Sequence, residues 1–118
     1  MDNKDFEKIE RIIKERKFAH EFFLKNSKVY RSFVELEQKT FSDGKIAKKY
    51  KELIALGISI VINCESCMEW HINEAIKAGA NFEEIIETIE VGIEMGGGPA
   101  TVASRFALKV LDYYKTKK

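Results

Sequence analysis

Proline is nearly absent: Pro99 is the only one in 118 residues. With so few breakers, long stretches of the chain are free to be helical. Cysteine is scarce as well, with Cys64 and Cys67 alone, which excludes a disulfide-rich scaffold. Neither charge is in excess. Twenty Lys and Arg face nineteen Asp and Glu, a net charge of +1, so there is no general electrostatic case for nucleic acid, a membrane surface or strongly acidic partners. Long hydrophobic runs are missing too. The nearly unbroken apolar stretch from Leu53 to Ile62 falls far short of the ~20 residues a membrane span requires. The opening residues Met1-Asp2-Asn3-Lys4-Asp5 lack the apolar segment of a secretory signal. These absences lead to the expectation of a soluble, cytoplasmic protein.

What is present favours helices. Glu, Lys, Ile, Leu and Ala dominate the chain. A composition 45% hydrophobic and 33% charged suits a folded domain rather than a disordered one. The length fits one domain over residues 1–118, with a modest core that self-association would extend.

Hydrophobic spacing predicts an all-α fold of about six helices. Phe6, Ile9, Ile13, Ala19, Phe22 and Phe23 form one stripe, broken at Arg16 and ending near Asn26-Ser27. Tyr30, Phe33, Val34 and Phe41 form a second, with Glu37 as its charged exception, and Ser42-Asp43-Gly44 is a turn. A third helix is expected from about Lys45, buried on most faces between Leu56 and Ile62. The β-branched residues of Gly57 to Ile62 would also suit a strand, but no second strand signal exists to pair with it. Asn63 is the expected N-cap of a fourth helix closed by Gly79. Asn81 and Glu84 form a capping-box pair for a fifth, ended by Gly96-Gly97-Gly98. Pro99 then opens a sixth, carrying Ala103, Phe106, Ala107, Val110, Leu111 and Tyr114. The tail Lys115-Thr116-Lys117-Lys118 is expected to be solvated. Phe18, Leu24 and Tyr113 are candidates for apolar contact with another copy. Lys45, Lys48, Lys49 and Lys51 read as a solvated helix face.

The chemistry concentrates at Cys64-Glu65-Ser66-Cys67. Two cysteines three apart at a helix start are near enough to close a disulfide, and the helix N-terminus favours thiolate, the reactive form. His71 lies one helical turn beyond Cys67. Seven residues rotate by about 700°, so on an unbroken helix His71 and Cys64 differ by roughly 20° around the axis. A histidine there can exchange protons with a thiol near neutral pH. Zinc usually takes four ligands, and the chain offers only Cys64, Cys67, His71 and the distant His20. Two cysteines serving only as core residues are the other alternative. Trp70 reads as a packing residue or as the lining of a substrate pocket. Glu52, in a lysine-rich stretch, would by itself be read as a surface charge.

The arrangement Glu52-x11-Cys64-x2-Cys67-x3-His71 resembles the active-site signature of alkylhydroperoxidase D-like proteins, within the carboxymuconolactone decarboxylase superfamily. The resemblance runs from about Phe33 to Tyr114. It includes DGKIA from Asp43, YKELI from Tyr50, HINEAIKAG from His71, the glycine-rich turn and Pro99. It implies a helical fold that assembles as a homo-oligomer, often a trimer or hexamer. It also implies thiol-dependent peroxidase or disulfide-exchange activity, with Cys64 and Cys67 as a redox-active disulfide and Glu52 and His71 as its proton relay. The implied partners are a hydroperoxide and an external dithiol or thiol-protein reductant, with neither cofactor nor metal. If Glu52 faces the cysteines, burial would raise its pKa toward the range useful for proton transfer. The superfamily's lactone decarboxylases lack the cysteine pair. One departure stands out: the best-known hydroperoxidase has a histidine immediately before its second cysteine, where this chain has Ser66. The family leans toward Cys67 as the attacking sulfur, whereas the helix dipole favours Cys64. Disulfide exchange with a protein or small molecule is the alternative activity, and a metal-binding or regulatory oligomer the non-enzymatic one.

Overall fold

Asp2 starts the first helix. Its side chain accepts the Asp5 N–H while the Asp5 carboxylate takes the Asp2 N–H, a reciprocal capping box. This computed structural model describes residues 1–116, so Lys117 and Lys118 of the expected tail lie outside the described residues. Helix α1 spans Asn3–Asn26 and α2 spans Lys28–Thr40. Ser27 serves both: its N–H donates to the Phe23 carbonyl, and its side chain accepts from the Tyr30 N–H. The two helices form a hairpin from which α1 sends only Ile9 fully into the core, while α2 buries no residue completely.

Helix α3 spans Lys48–Val61, α4 Glu65–Lys77 and α5 Phe82–Thr116. The start of α3 lies three residues later than the sequence predicts. The Asp43 carboxylate accepts the Lys48 N–H at 2.7 Å and Gly44 N–H bonds the Ile46 carbonyl, which keeps the preceding segment looped. Gly79, at φ 102°, closes α4 with Gly79 N–H bonding Ile76 and Ala80 N–H bonding Ala75. That double bond pattern is the Schellman ending, and it needs the left-handed residue. Asn81 and Glu84 exchange backbone-to-side-chain bonds of 3.0 and 2.8 Å, the expected capping box of α5. Gly97, at φ 70° and ψ −150°, breaks the helical backbone inside this last span, so two helices meet there across a kink, where the glycine run and Pro99 place the end of the fifth expected helix and the start of the sixth.

The core lies among α3, α4 and α5, where Leu56, Ile60, Met68, Ile72, Ile85 and Val110 are fully buried and Ile9 reaches in from α1. Among the described residues there is no strand, and the β-branched Gly57–Ile62 run is helical. Tertiary burial along one face overrides its local preference. No described helix is long and apolar enough to cross a membrane.

Two expectations are corrected. The second half of α3 is not buried on most faces: Ile54, Ile58, Val61 and Ile62 are 53%, 55%, 47% and 62% exposed in the single chain. Ile54, Ile58 and Val61, with Tyr50, Val91 and Met95, edge an apolar groove of about 610 Å³ between α3 and α5. Tyr113 is not a surface residue either. It is buried against the rings of Phe6 and Tyr114, because its position on α5 faces α1. Phe18 does stand exposed.

The floor of the α3–α5 groove depends on a glycine. A Cβ at Gly92 would lie 3.0 Å from Ile60 Cβ and 3.2 Å from the Gly57 carbonyl oxygen. The two helices approach this closely only because Gly92 carries no side chain. Gly92→Val therefore overpacks the contact and should lower stability by about 1–3 kcal/mol, read as a lower midpoint in urea denaturation. An unchanged midpoint would mean that the helices separate without cost.

Candidate active site

Asn63 turns the chain between α3 and α4. Its φ of 54° lies in the left-handed region, which asparagine tolerates better than most residues. A residue in that conformation reverses the chain before the helix begins, so the N-cap of α4 is Cys64 and not Asn63. Cys64 Sγ accepts the Cys67 N–H at 3.2 Å, the bond an N-cap side chain makes. Cys64 and Cys67 are joined as a disulfide, with Cα atoms 5.2 Å apart, and both are partly exposed. The sequence-based alignment of Cys64 with His71 assumed one unbroken helix. Cys64 in fact precedes the helix at extended φ/ψ, whereas Cys67 and His71 are one turn apart within it.

Helix α3 brings Glu52 to His71. His71 Nδ1 lies 2.7 Å from Glu52 Oε1, and Glu52 is 1% exposed despite its lysine-rich neighbourhood. An ionised carboxylate only accepts, so Nδ1 carries the proton and Nε2 is the accepting nitrogen of the neutral ring. The ring of Phe41 stands 5.3 Å from the imidazole and walls it from α2. Lys48 Nζ, one turn before Glu52, bonds the other oxygen at 2.7 Å and reaches Glu74 at 3.5 Å.

The charge state of Glu52 differs from the sequence-based expectation. Burial does push its carboxyl upward, but the hydrogen bonds from His71 and Lys48 outweigh burial and hold it below the ordinary 4.5. Glu52 is thus a fixed anion that orients His71 and balances Lys48. Burial likewise pulls Lys48 down, and the Glu52 and Glu74 carboxylates more than compensate, keeping it above 10.5.

The structure joins the four expected residues as two pairs, Cys64 with Cys67 and Glu52 with His71, and His71 lies one helical turn beyond Cys67 on α4. It adds three that sequence reasoning missed. Lys48 belongs to the lysine run read as solvated. Arg16, the break in the α1 stripe, donates from Nη2 to the Ser66 carbonyl at 3.0 Å and to Ser66 Oγ at 3.1 Å. Its Nη1 pairs at 2.6 Å with Glu69 Oε1, and its guanidinium lies 5.2 Å from the centroid of the Trp70 ring. Glu69 is 1% exposed, and its other oxygen accepts from Tyr114 Oη. Burial and that carboxylate push the Tyr114 phenol upward, so it stays a donor. The stripe break was a usable signal for Arg16. Nothing in the local sequence marked Glu69 as buried.

A polar cleft of about 360 Å³ opens beside Glu52, walled by His20, Glu37, Phe41, Lys48, Trp70 and Glu74 among others. Glu37, the charged exception in the α2 stripe, faces this cleft, and Trp70 lines it while packing beneath Arg16. Among the described residues, no three His, Cys, Asp or Glu side chains group as a metal site.

The low Glu52 pKa has a signed consequence. The carboxylate contributes stability at every pH above about 4.5, its ordinary value, and loses that contribution as pH falls through the lower folded value. Glu52→Gln lacks this contribution. The stability gap between the native chain and Glu52→Gln should therefore be widest near pH 6 and shrink toward about pH 3 in urea titrations. A gap that grows on acidification would contradict the assignment.

Residues 27–110, most of the chain, match the carboxymuconolactone decarboxylase family. A Paracoccus denitrificans protein known as uncharacterized protein 4 in cox locus is 40% identical over 81 residues, 69% of this chain and 73% of its own. An uncharacterized protein from Cupriavidus necator is 35% identical over 72 residues, 61% of each chain. A carboxymuconolactone decarboxylase family protein from Legionella pneumophila, solved without ligand, superposes with a TM-score of 0.81 at 30% identity, covering 92% of this chain and 96% of its own. A Thermotoga maritima member of the family, for which a part in the antioxidative response has been suggested, gives 0.83 at 25% identity over 90% and 91%. The chain is therefore a member of the carboxymuconolactone decarboxylase family, of the alkylhydroperoxidase D-like kind.

Proposed function

We propose that this protein is a thiol-dependent peroxidase that reduces hydroperoxides through a Cys64–Cys67 disulfide cycle. The observation that carries the reading is the joined cysteine pair at the start of α4, with a histidine one turn beyond Cys67 held in one tautomer by a buried carboxylate.

In the proposed cycle one thiolate attacks the O–O bond of the hydroperoxide. A sulfenic acid forms, and the alkoxide leaves as alcohol after taking a proton. The second thiol condenses with the sulfenic acid, giving the disulfide and one water. An external dithiol or thiol protein then exchanges with the disulfide, returns two thiols and leaves oxidised itself. His71 is the proton carrier. With Nδ1 committed to Glu52, its Nε2 accepts from a thiol and donates to the leaving oxygen. Glu52 stabilises the imidazolium that forms in between, and Lys48 keeps Glu52 ionised. The suggestion of an antioxidative role for the Thermotoga maritima relative agrees with this reading.

Disulfide exchange with a protein or small molecule is the second reading, and one observation favours it. The position before Cys67 holds Ser66, whose hydroxyl accepts from Arg16, so no histidine stands there to assist the peroxide step. Peroxide consumption and disulfide reduction, measured with the same dithiol, separate the two. The peroxidase reading predicts faster turnover with an organic hydroperoxide than with a small disulfide. It also predicts complete loss in Cys64→Ser and Cys67→Ser, and a roughly 10²–10⁴-fold loss in His71→Ala. Glu52→Gln, which loses the orienting charge, should cost about 10–100-fold. Disulfide turnover with no peroxide turnover would move the assignment to the second reading.

Self-association is part of the proposal. The apolar groove of α3 and α5, edged by Tyr50, Ile54, Ile58, Val61, Val91 and Met95, supports a contact with further copies of this chain. Ile58→Asp, on the exposed side of α3, should shift the native mass toward monomer in light scattering while the fold persists. A native chain that is already monomeric would remove this part.

A further inference from the structure

One peptide unit connects Arg16 to a cysteine sulfur. The Ser66 carbonyl accepts from Arg16 Nη2 at 3.0 Å, and the N–H of the same peptide, that of Cys67, donates to Cys64 Sγ at 3.2 Å. A cation on the carbonyl end of a peptide polarises it, which makes its N–H a stronger donor. Arg16 is also held in place. Glu69 anchors Nη1 at 2.6 Å, Tyr114 anchors Glu69, and the Trp70 ring backs the guanidinium. This fixed placement explains why an arginine interrupts the apolar stripe of α1.

We propose that Arg16 is a positioning residue that holds Cys64 as the more acidic thiol of the reduced pair, acting through the Ser66–Cys67 peptide with Glu69 as its counter-charge. The proposal rests on the reading of Cys64 and Cys67 as a redox pair and assigns them unequal parts. When a reductant thiolate attacks Cys67 Sγ, a new sulfur–sulfur bond forms there, the Cys64–Cys67 bond breaks, and its electron pair leaves on Cys64 as thiolate. The second thiol of the reductant, deprotonated, then releases Cys67 and leaves oxidised. A more acidic leaving thiol speeds the first step. Stabilising the Cys64 thiolate also stabilises the reduced state, making the pair a stronger oxidant.

The other titratable groups around this turn stay in place in the test: Lys8 of α1, paired with Glu65, and His71, one turn beyond Cys67 on α4, with its partner Glu52 and, beyond that, Lys48 on α3. Tyr114 of α5 contributes a neutral hydroxyl.

The test uses the Cys67→Ser chain, in which Cys64 is the sole thiol, and reads its titration midpoint from the pH dependence of iodoacetamide alkylation. Arg16→Met removes the cation and leaves Glu69 unbalanced, so the midpoint should rise by about one pH unit. Glu69→Gln frees the Arg16 charge, so the midpoint should fall, and Arg16→Lys should restore part of the native value. In the two-cysteine chain, Arg16→Met should shift equilibrium with glutathione toward the disulfide by about fivefold. A merely structural role would move Arg16→Met and Glu69→Gln in the same direction. Shifts of one sign, or none, overturn the proposal. If Arg16→Met fails to fold, Glu69→Gln decides alone: a fall supports the proposal, and a rise or no change refutes it. No peroxide enters these measurements, so failure to turn over peroxide would count against the peroxidase reading only.

Discussion

The hydrogen bond from His71 Nδ1 to Glu52 Oε1 joins α3 to α4 around a buried charge. A carboxylate taken from water without partners costs several kcal/mol. Glu52 avoids that cost because both oxygens are engaged, one by His71 and the other by Lys48. Removing either partner leaves the anion undercompensated, so the pair constrains helix position as well as chemistry. It fixes the tautomer of His71 and leaves the ring nitrogen facing away from Glu52 as the accepting one.

Helix α3 divides its surface between this site and the apolar groove. Glu52, Leu56, Ser59 and Ile60 recur at helical spacing on the buried side, whereas Tyr50, Ile54, Ile58 and Val61 recur on the exposed side. The polar chemistry and the apolar face are thus one helix turned two ways. Close packing of α5, permitted by the bare backbone at Gly92, sets the depth at which α3 lies. At the far end of α3, left-handed Asn63 delivers Cys64 to the N-cap of α4, and α1 closes over the turn through Lys8 and Arg16.

Much of this was legible in the sequence. Helical periodicity, the Asn81–Glu84 cap and Gly79 gave the elements, and the spacing of Glu52, Cys64, Cys67 and His71 picked out two pairs that meet, Cys64 with Cys67 and Glu52 with His71. Where expectation and structure part, local patterns gave way to tertiary ones. Asn63 looked like a cap because asparagine often is one, but the reversal after α3 needed its left-handed backbone. The apolar second half of α3 looked buried, yet one chain leaves half of it uncovered. Burial alone suggested a high Glu52 pKa, but the hydrogen bond from His71 comes from another helix and cannot be read from the carboxylate's own neighbours. Lys48 sits one turn from Glu52 and could have been paired with it. Arg16 and Glu69 are 53 residues apart, and only the fold brings them together.

The central claim is that Cys64 and Cys67 cycle between dithiol and disulfide at the expense of a peroxide. Intact mass spectrometry of the reduced chain tests it most directly, before and after one equivalent of an organic hydroperoxide and again after a dithiol. The account predicts the loss of two hydrogens, reversed by the dithiol and absent when either cysteine is serine. An unchanged mass, with both thiols still open to alkylation, would contradict it.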